Sequence, residues 1–170
     1  MTLKPNEKEY DSYYQHYINL VEDANITKGL QLGKQRFIDF VVQIPNEKFH
    51  FSYAEGKWTI AEVLLHLIDT ERVFSYRAFR IGRGDTTPLP GFQHDEYVPY
   101  SNAKSYTKQE LLQEFTAVRE STLSLFNRFN NDALKLMGVA SGAGISVRAI
   151  GYIIAGHQAH HLSVIQDRYL

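Results

Sequence analysis

Two histidines one helical turn apart, His157 and His161, fall in the middle of an apolar stripe made by Val147, Ile150, Ile154, Val164 and Ile165. On a helix, residues at i and i+4 project the same way, so both rings can reach one divalent cation at about 2.0 to 2.1 Å. A stripe that faces a core is a costly place for two imidazoles, because each neutral ring still carries a donor and an acceptor that need partners. A metal ion would satisfy one nitrogen of each. His160 points off to the side of that stripe, and Gly156, directly before His157, leaves room for close approach by a neighbouring helix or a ligand.

A third ligand has to come from another helix. His66 stands on the margin of an earlier apolar stripe, flanked by Glu62, Asp69 and Val73. Three neutral histidines would leave a divalent ion with an open coordination position for water or substrate, and Glu62 or Asp69 could orient a ring by accepting its free N–H. A lone histidine on an apolar face is more often a hydrogen-bonded core residue, and spacing alone does not bring two helices together. Glu62, Asp69 and His160 are the candidates for proton transfer. Arg72, Arg77, Arg80 and Arg83 crowd the following turns and could meet an anionic substrate, although cations near a helix C-terminus also complement its dipole. His94 and Asp95 could approach the ion from a connecting loop.

These residues have to be held by helices. Residues 26 to 44 carry Leu30, Phe37, Ile38 and Val41 at helical spacing, with Asn25 or Thr27 as cap and Pro45 as stop. A capping box at Thr59 and Glu62 opens a second segment that runs to about Ile81, and Thr107 with Glu110 opens a third that runs to Asn130 and Asn131. The fourth starts at Ser146 and continues to Leu170. Residues 10 to 21 are tyrosine-rich and ambiguous. No strand alternation survives beyond F-H-F-S-Y at residues 49 to 53, so no sheet is expected, and four amphipathic helices predict an all-α four-helix bundle. The glycine-rich G-V-A-S-G-A-G-I-S of residues 138 to 146 lacks the lysine of a phosphate-binding loop and reads as a helix connection.

Residues 82 to 106 hold Pro88, Pro90, Gly91 and Pro99 in a connection of 25 residues, where about 2 to 8 are usual between bundle helices. Such a length fits a lid over the end of the bundle, or a surface crossover joining parallel helices.

The chain of 170 residues, 44% hydrophobic and 22% charged, is in the range of one globular domain, residues 1 to 170. A net charge of −1 and a pI near 6.7 offer no field for nucleic acid or an anionic membrane. The absence of cysteine removes disulfides and an intrinsic thiol nucleophile. Residues 1 to 10 are polar, and no apolar run approaches the roughly 18 residues of a membrane span, so a cytoplasmic protein is expected.

The run G-K-W-T-I-A-E-V-L-L-H-L-I-D-T-E-R-V-F-S-Y-R at residues 56 to 77, L-P-G-F at residues 89 to 92 and I-I-A-G-H-Q-A-H-H at residues 153 to 161 resemble the DinB/YfiT-like superfamily. The likeness covers nearly the whole chain and is strongest to short bacterial DinB-like metal-dependent enzymes. It implies a four-helix bundle with a long crossover between the second and third helices, and a Zn²⁺ or Ni²⁺ ion held by one histidine of the second helix and two of the last. On this sequence those positions are His66, in the K-W-x(7)-H pattern, and His157 and His161, in the G-H-x-x-x-H pattern; His160 has no ligand role there. The family's name refers to induction by DNA damage and does not imply DNA binding.

Relatives implied by the resemblance include thiol-dependent S-transferases and a mycothiol-dependent isomerase, and many are dimers. The expected function is therefore a metal-dependent transferase or hydrolase that activates a thiol or water for a small-molecule substrate. A non-catalytic metal-binding stress-response bundle is the alternative. A homodimer is expected, with Tyr10, Tyr13, Tyr14 and Tyr17 offering an aromatic surface.

Overall fold

The computed structural model describes residues 4–23 and 25–170; the sequence reading of Met1, Thr2 and Leu3 as part of a polar N-terminus lies outside them. In chain order the elements are α1 (Gln15–Asn19), α2 (Ile26–Gln43), α3 (Ile60–Gly82), α4 (His94–Tyr97), α5 (Lys108–Phe126), α6 (Asn131–Lys135), β1 (Met137–Ala140), β2 (Ala143–Ser146) and α7 (Val147–Arg168). Four of them, α2, α3, α5 and α7, form the bundle.

Their starts are where local chemistry places them. The Asn25 side chain accepts from the Lys28 amide at 3.1 Å, so Asn25 and not Thr27 is the cap of α2. At α3 the Thr59 hydroxyl accepts from the Glu62 amide while the Glu62 carboxylate accepts from the Thr59 amide at 2.7 Å. Thr107 and Glu110 repeat the device on α5, and Ser146 caps α7 through the Ala149 amide.

Around the bundle the order is α2, α7, α3, α5, so the consecutive helices α2 and α3 stand across a diagonal. Glu71 pairs with Arg119, and Gly82 lies against Phe129, which shows α3 and α5 running in the same direction. A parallel pair cannot be joined by a tight turn. The 25-residue connection is thus a crossover, and its Phe92 and His94 also wall the cavity described below.

The core has two apolar halves. Phe37, Val41, Ile60, Leu64, Leu111, Phe115 and Ile165 fill one; Ile26, Leu30, Phe74, Ala78, Phe126, Val147 and Ile150 fill the other. Between them runs a polar layer. Arg119 makes a two-pronged ion pair with Glu71 at 2.8 Å and 2.8 Å, and two further donors go to Leu30 O at 3.0 Å and Gln158 Oε1 at 2.8 Å. Gln158 donates in turn to Gly33 O at 2.8 Å. All four bundle helices meet in that layer, and the histidines sit beside it.

One expectation fails. Residues 137 to 146 are an antiparallel hairpin and not a helix connection, paired Met137 with Ser146 through Ala140 with Ala143. Its two-residue turn is Ser141 and Gly142, both at positive φ (53° and 81°), the conformation whose twist matches that of the paired strands. The F-H-F-S-Y segment forms no strand. Leu89 of the crossover bonds to the hairpin through Val139 O at 2.9 Å and the Ser141 amide at 3.0 Å. Among the described residues, no helix is long and apolar enough to cross a membrane.

Candidate metal centre

Helix α3 carries His66 into the bundle and α7 carries His157 and His161. The three rings offer one nitrogen each, and these atoms all lie within 4.8 Å of one another. The Nε2 atoms of His66 and His157 are 3.1 Å apart, and the His161 ring centre is 4.6 Å from that of His157 and 5.1 Å from that of His66. Three ligands disposed tetrahedrally about an ion at about 2.0 to 2.1 Å stand about 3.3 Å from each other. The His66 to His157 spacing is already close to that value, and the His161 nitrogen lies within 4.8 Å of both.

Burial keeps these rings uncharged. It pushes the His66 imidazole down to about 4, with the neighbouring His94 adding to the effect, and the His161 imidazole down to about 3, with His66 and His160 adding. His157, the deepest, lies well below the ordinary histidine range because of burial first and His161 and His66 second. Neutral imidazole is the form that coordinates a cation. In donor type, spacing and protonation the residues fit a divalent ion.

Of the supporting residues expected from sequence, the structure spends several elsewhere. The Glu62 carboxylate is engaged by Thr59, and Asp69 accepts from Arg72 at 2.9 Å. Neither hydrogen-bonds a triad ring, although both share with His66 the wall of a void of about 10 Å³. Thr70 takes that place, its Oγ1 standing 3.4 Å from His66 Nδ1, one helical turn on. His160 Nδ1 faces His16 Nε2 at 3.2 Å. Asp95 is exposed beside His94, whose own ring centre lies 5.1 Å from that of His66.

The triad opens on a cavity of about 720 Å³, a size that suits a small organic ligand. Tyr14, Tyr17, Trp58, Phe74 and Phe92 supply apolar walls, and His94 and Ser141 supply polar ones. Tyr17 sits edge-on to His157 at 5.2 Å between ring centres. It can do so because Gly156 has no side chain: a Cβ there would run into the Tyr17 carbonyl. The tyrosines offered as a dimer surface are therefore largely turned inward. Tyr10 is buried, Tyr14 and Tyr17 line the cavity, and Tyr13 is exposed. Sequence reasoning missed Thr70, Trp58 and Ser141; the first could have been found at i+4 from His66, the last from the Ser-Gly pair that marks a turn.

Of the four arginines offered for an anionic substrate, two are in ion pairs, and Arg83 lies over the Phe79 and Phe129 rings. Arg72 bridges Asp69 and Glu114, Arg80 joins Asp85, and Arg119 joins Glu71. Arg77, 2% exposed, donates to Pro90 O at 2.8 Å and Ser141 Oγ at 2.9 Å and lies over the Phe74 and Phe92 rings.

The family model of the DinB superfamily matches residues 30–165, and the chain belongs to that superfamily. A candidate metal-dependent hydrolase of Oceanobacillus iheyensis is 25% identical over 143 residues, covering 82% of this chain and 80% of its own. YfiT from Bacillus subtilis, described as a candidate metal-dependent hydrolase with an unusual four-helix bundle topology, superposes with a TM-score of 0.70 at 16% identity, over 96% of this chain and 90% of that one. The mycothiol-dependent maleylpyruvate isomerase gives 0.67 at 15% identity, over 81% of this chain and 58% of that one. At such identities the structural likeness is one of fold.

Proposed function

We propose that this DinB-superfamily chain is a metal-dependent enzyme of the hydrolase or thiol S-transferase type, with a zinc or nickel ion held by His66, His157 and His161. The observation that carries the reading is the convergence of three neutral ring nitrogens, within 4.8 Å, on the wall of a cavity large enough for a substrate. Imidazole donors suit Zn²⁺ and Ni²⁺. Such an ion, when bound, would supply Lewis acidity, lowering the pKa of a water or thiol so that it could lose its proton near neutral pH. With no cysteine in the chain, a thiol has to come from outside.

The chain's own residues then have separate tasks. With the His66 proton on Nδ1, Thr70 Oγ1 at 3.4 Å would accept it and leave Nε2 free to ligate. Tyr17, Trp58 and Phe92 exclude water and hold an apolar body. Glu62, Asp69 and His160 are committed to Thr59, Arg72 and His16, so the proton-accepting role falls to His94, which lines the cavity beside His66.

Metal analysis of the purified protein, followed by a panel of low-molecular-weight thiols with electrophiles and of activated esters and amides, tests the proposal. Wild type should turn over a substrate that His157→Ala does not, and His94→Gln should retain metal with a lowered rate. Equal background rates in wild type and His157→Ala across the panel would leave the non-catalytic metal-binding bundle as the reading.

A further inference from the structure

Arg77 carries a charge that no carboxylate among the described residues balances. It is buried, its guanidinium remains protonated at any physiological pH, and among the described residues no carboxylate faces it. Its surroundings among the described residues are all neutral: it donates to Pro90 O and Ser141 Oγ, lies over the faces of Phe74 and Phe92, and has the Tyr14 phenol close by. A buried guanidinium without a counter-ion is unfavourable unless something else brings the negative charge.

Ser141 and Tyr14 both line the cavity that holds the triad. An arginine can only donate, so the Ser141 oxygen is already an acceptor toward Arg77 and its hydrogen is left to donate elsewhere, while the Tyr14 hydroxyl, beside the same guanidinium, also keeps its hydrogen for another acceptor. No protein acceptor is taken by either hydroxyl among the described residues. Two O–H donors polarised by a charge beside them, in a cavity whose one lining carboxylate among the described residues is the exposed Glu96, make a surface suited to an anion.

We propose that Arg77, Ser141 and Tyr14 form a subsite for the carboxylate or phosphate group of the substrate, with the two hydroxyls touching the anion and Arg77 supplying the charge behind them. His66, Thr70, Phe74 and Arg77 follow one another on one face of α3, and eleven residues of helix set the first and last backbones about 16 Å apart. The substrate class is therefore an elongated organic anion with an apolar middle, its charged end at the hairpin turn and its reacting end at the histidines. The inference deepens the proposed enzyme reading and rests on this cavity being the substrate site.

Its test uses protein stripped of metal with a chelator, so that no anion can bind by ligating an ion. The probes share one body and differ in head group: 4-phenylbutyrate, 4-phenylbutyl phosphate, 4-phenylbutan-1-ol and 4-phenylbutylamine. Trp58, the one tryptophan of the chain, lines the cavity and reports binding by fluorescence. At least one anion should bind about ten-fold more tightly than the alcohol, with the amine weakest; the tighter of the two anions names the head group. Tyr14→Phe and Ser141→Gly should each shrink that preference and together abolish it, while affinity for the alcohol stays. Glycine is chosen at 141 because the backbone there has φ 53°, which it adopts without strain. Equal binding of all four probes, no binding of any, or an anion preference that survives in the double variant would overturn the subsite. Metal content of the untreated protein is measured separately, so a protein that binds metal and ignores head-group charge fails this proposal alone, and one that selects anions but holds no metal fails the other.

Discussion

The Nε2 atoms of His66 and His157 meet at 3.1 Å although the residues are 91 positions apart in the chain. With both rings neutral, that separation is a hydrogen bond in which one Nε2–H donates to the other's lone pair. Seating a cation between them requires both lone pairs, so the donating ring has to move its proton to Nδ1. For His66 the acceptor that stabilises the Nδ1–H form is Thr70 Oγ1 at 3.4 Å.

Thr70→Val keeps the shape of the side chain and removes that acceptor. Metal affinity measured by competition with a chromophoric chelator should fall about ten-fold, the lower end for loss of a hydrogen bond behind a ligand. His66→Ala, by contrast, should lose stoichiometric metal altogether. Unchanged affinity in Thr70→Val would show that the tautomer of His66 is set without it.

The buried imidazoles make the stability of the metal-free protein depend on pH. An unfolded histidine takes up its proton near pH 6.5, whereas folded His66 stays neutral down to about 4 and folded His161 down to about 3, burial being the main cause. Between those limits the unfolded state binds more protons, so stability is fully present above about 6.5 and is lost as pH falls toward 4. Each withheld proton contributes about 1.4 kcal/mol per pH unit. Thermal melts of chelator-treated protein should show Tm declining steadily from pH 6.5 to 4.5, with a shallower slope in His66→Gln. A flat Tm over that range would contradict the buried, neutral triad.

What sequence could reveal follows the range of the interactions involved. Helix starts are set within four residues, and the boxes at Thr59 and Thr107 and the cap at Ser146 were legible for that reason. The pairing of His157 with His161 is likewise a property of one helix. The hairpin was hidden because its run of glycines and alanines has little β-branched character, and only the Ser141–Gly142 turn betrays it. The diagonal placement of α2 and α3 is decided by tertiary packing. So is the aromatic wall of the cavity, since α1 has five residues and holds its position by docking on α7.

That docking depends on Gly156. Alanine would improve the intrinsic helix propensity of α7 by about 1 kcal/mol, but its Cβ would run into the Tyr17 carbonyl, and backbone yields less readily than a side-chain tip. Overpacking of this kind costs about 1 to 3 kcal/mol, so the clash wins. Gly156→Ala should lower Tm and, by displacing α1, admit protease between residues 15 and 25. A variant as stable and as protease-resistant as wild type would mean that α1 accommodates the methyl group without leaving the helix.

The polar layer makes a sharper demand. Glu71, 4% exposed, is the carboxylate that neutralises Arg119, 1% exposed, and removing it strands a guanidinium in the middle of the bundle. Breaking a buried pair from one side costs about 3 to 5 kcal/mol, whereas exchanging both partners for apolar residues of similar volume is often neutral. Glu71→Ala should therefore be severely destabilised, and Glu71→Met combined with Arg119→Met should recover part of the loss. Recovery will be incomplete, because Leu30 O and Gln158 Oε1 also lose their donor in Arg119. Chemical denaturation of the two variants measures the difference, and a double variant less stable than Glu71→Ala would show that these hydrogen bonds outweigh the charge balance in joining the four helices.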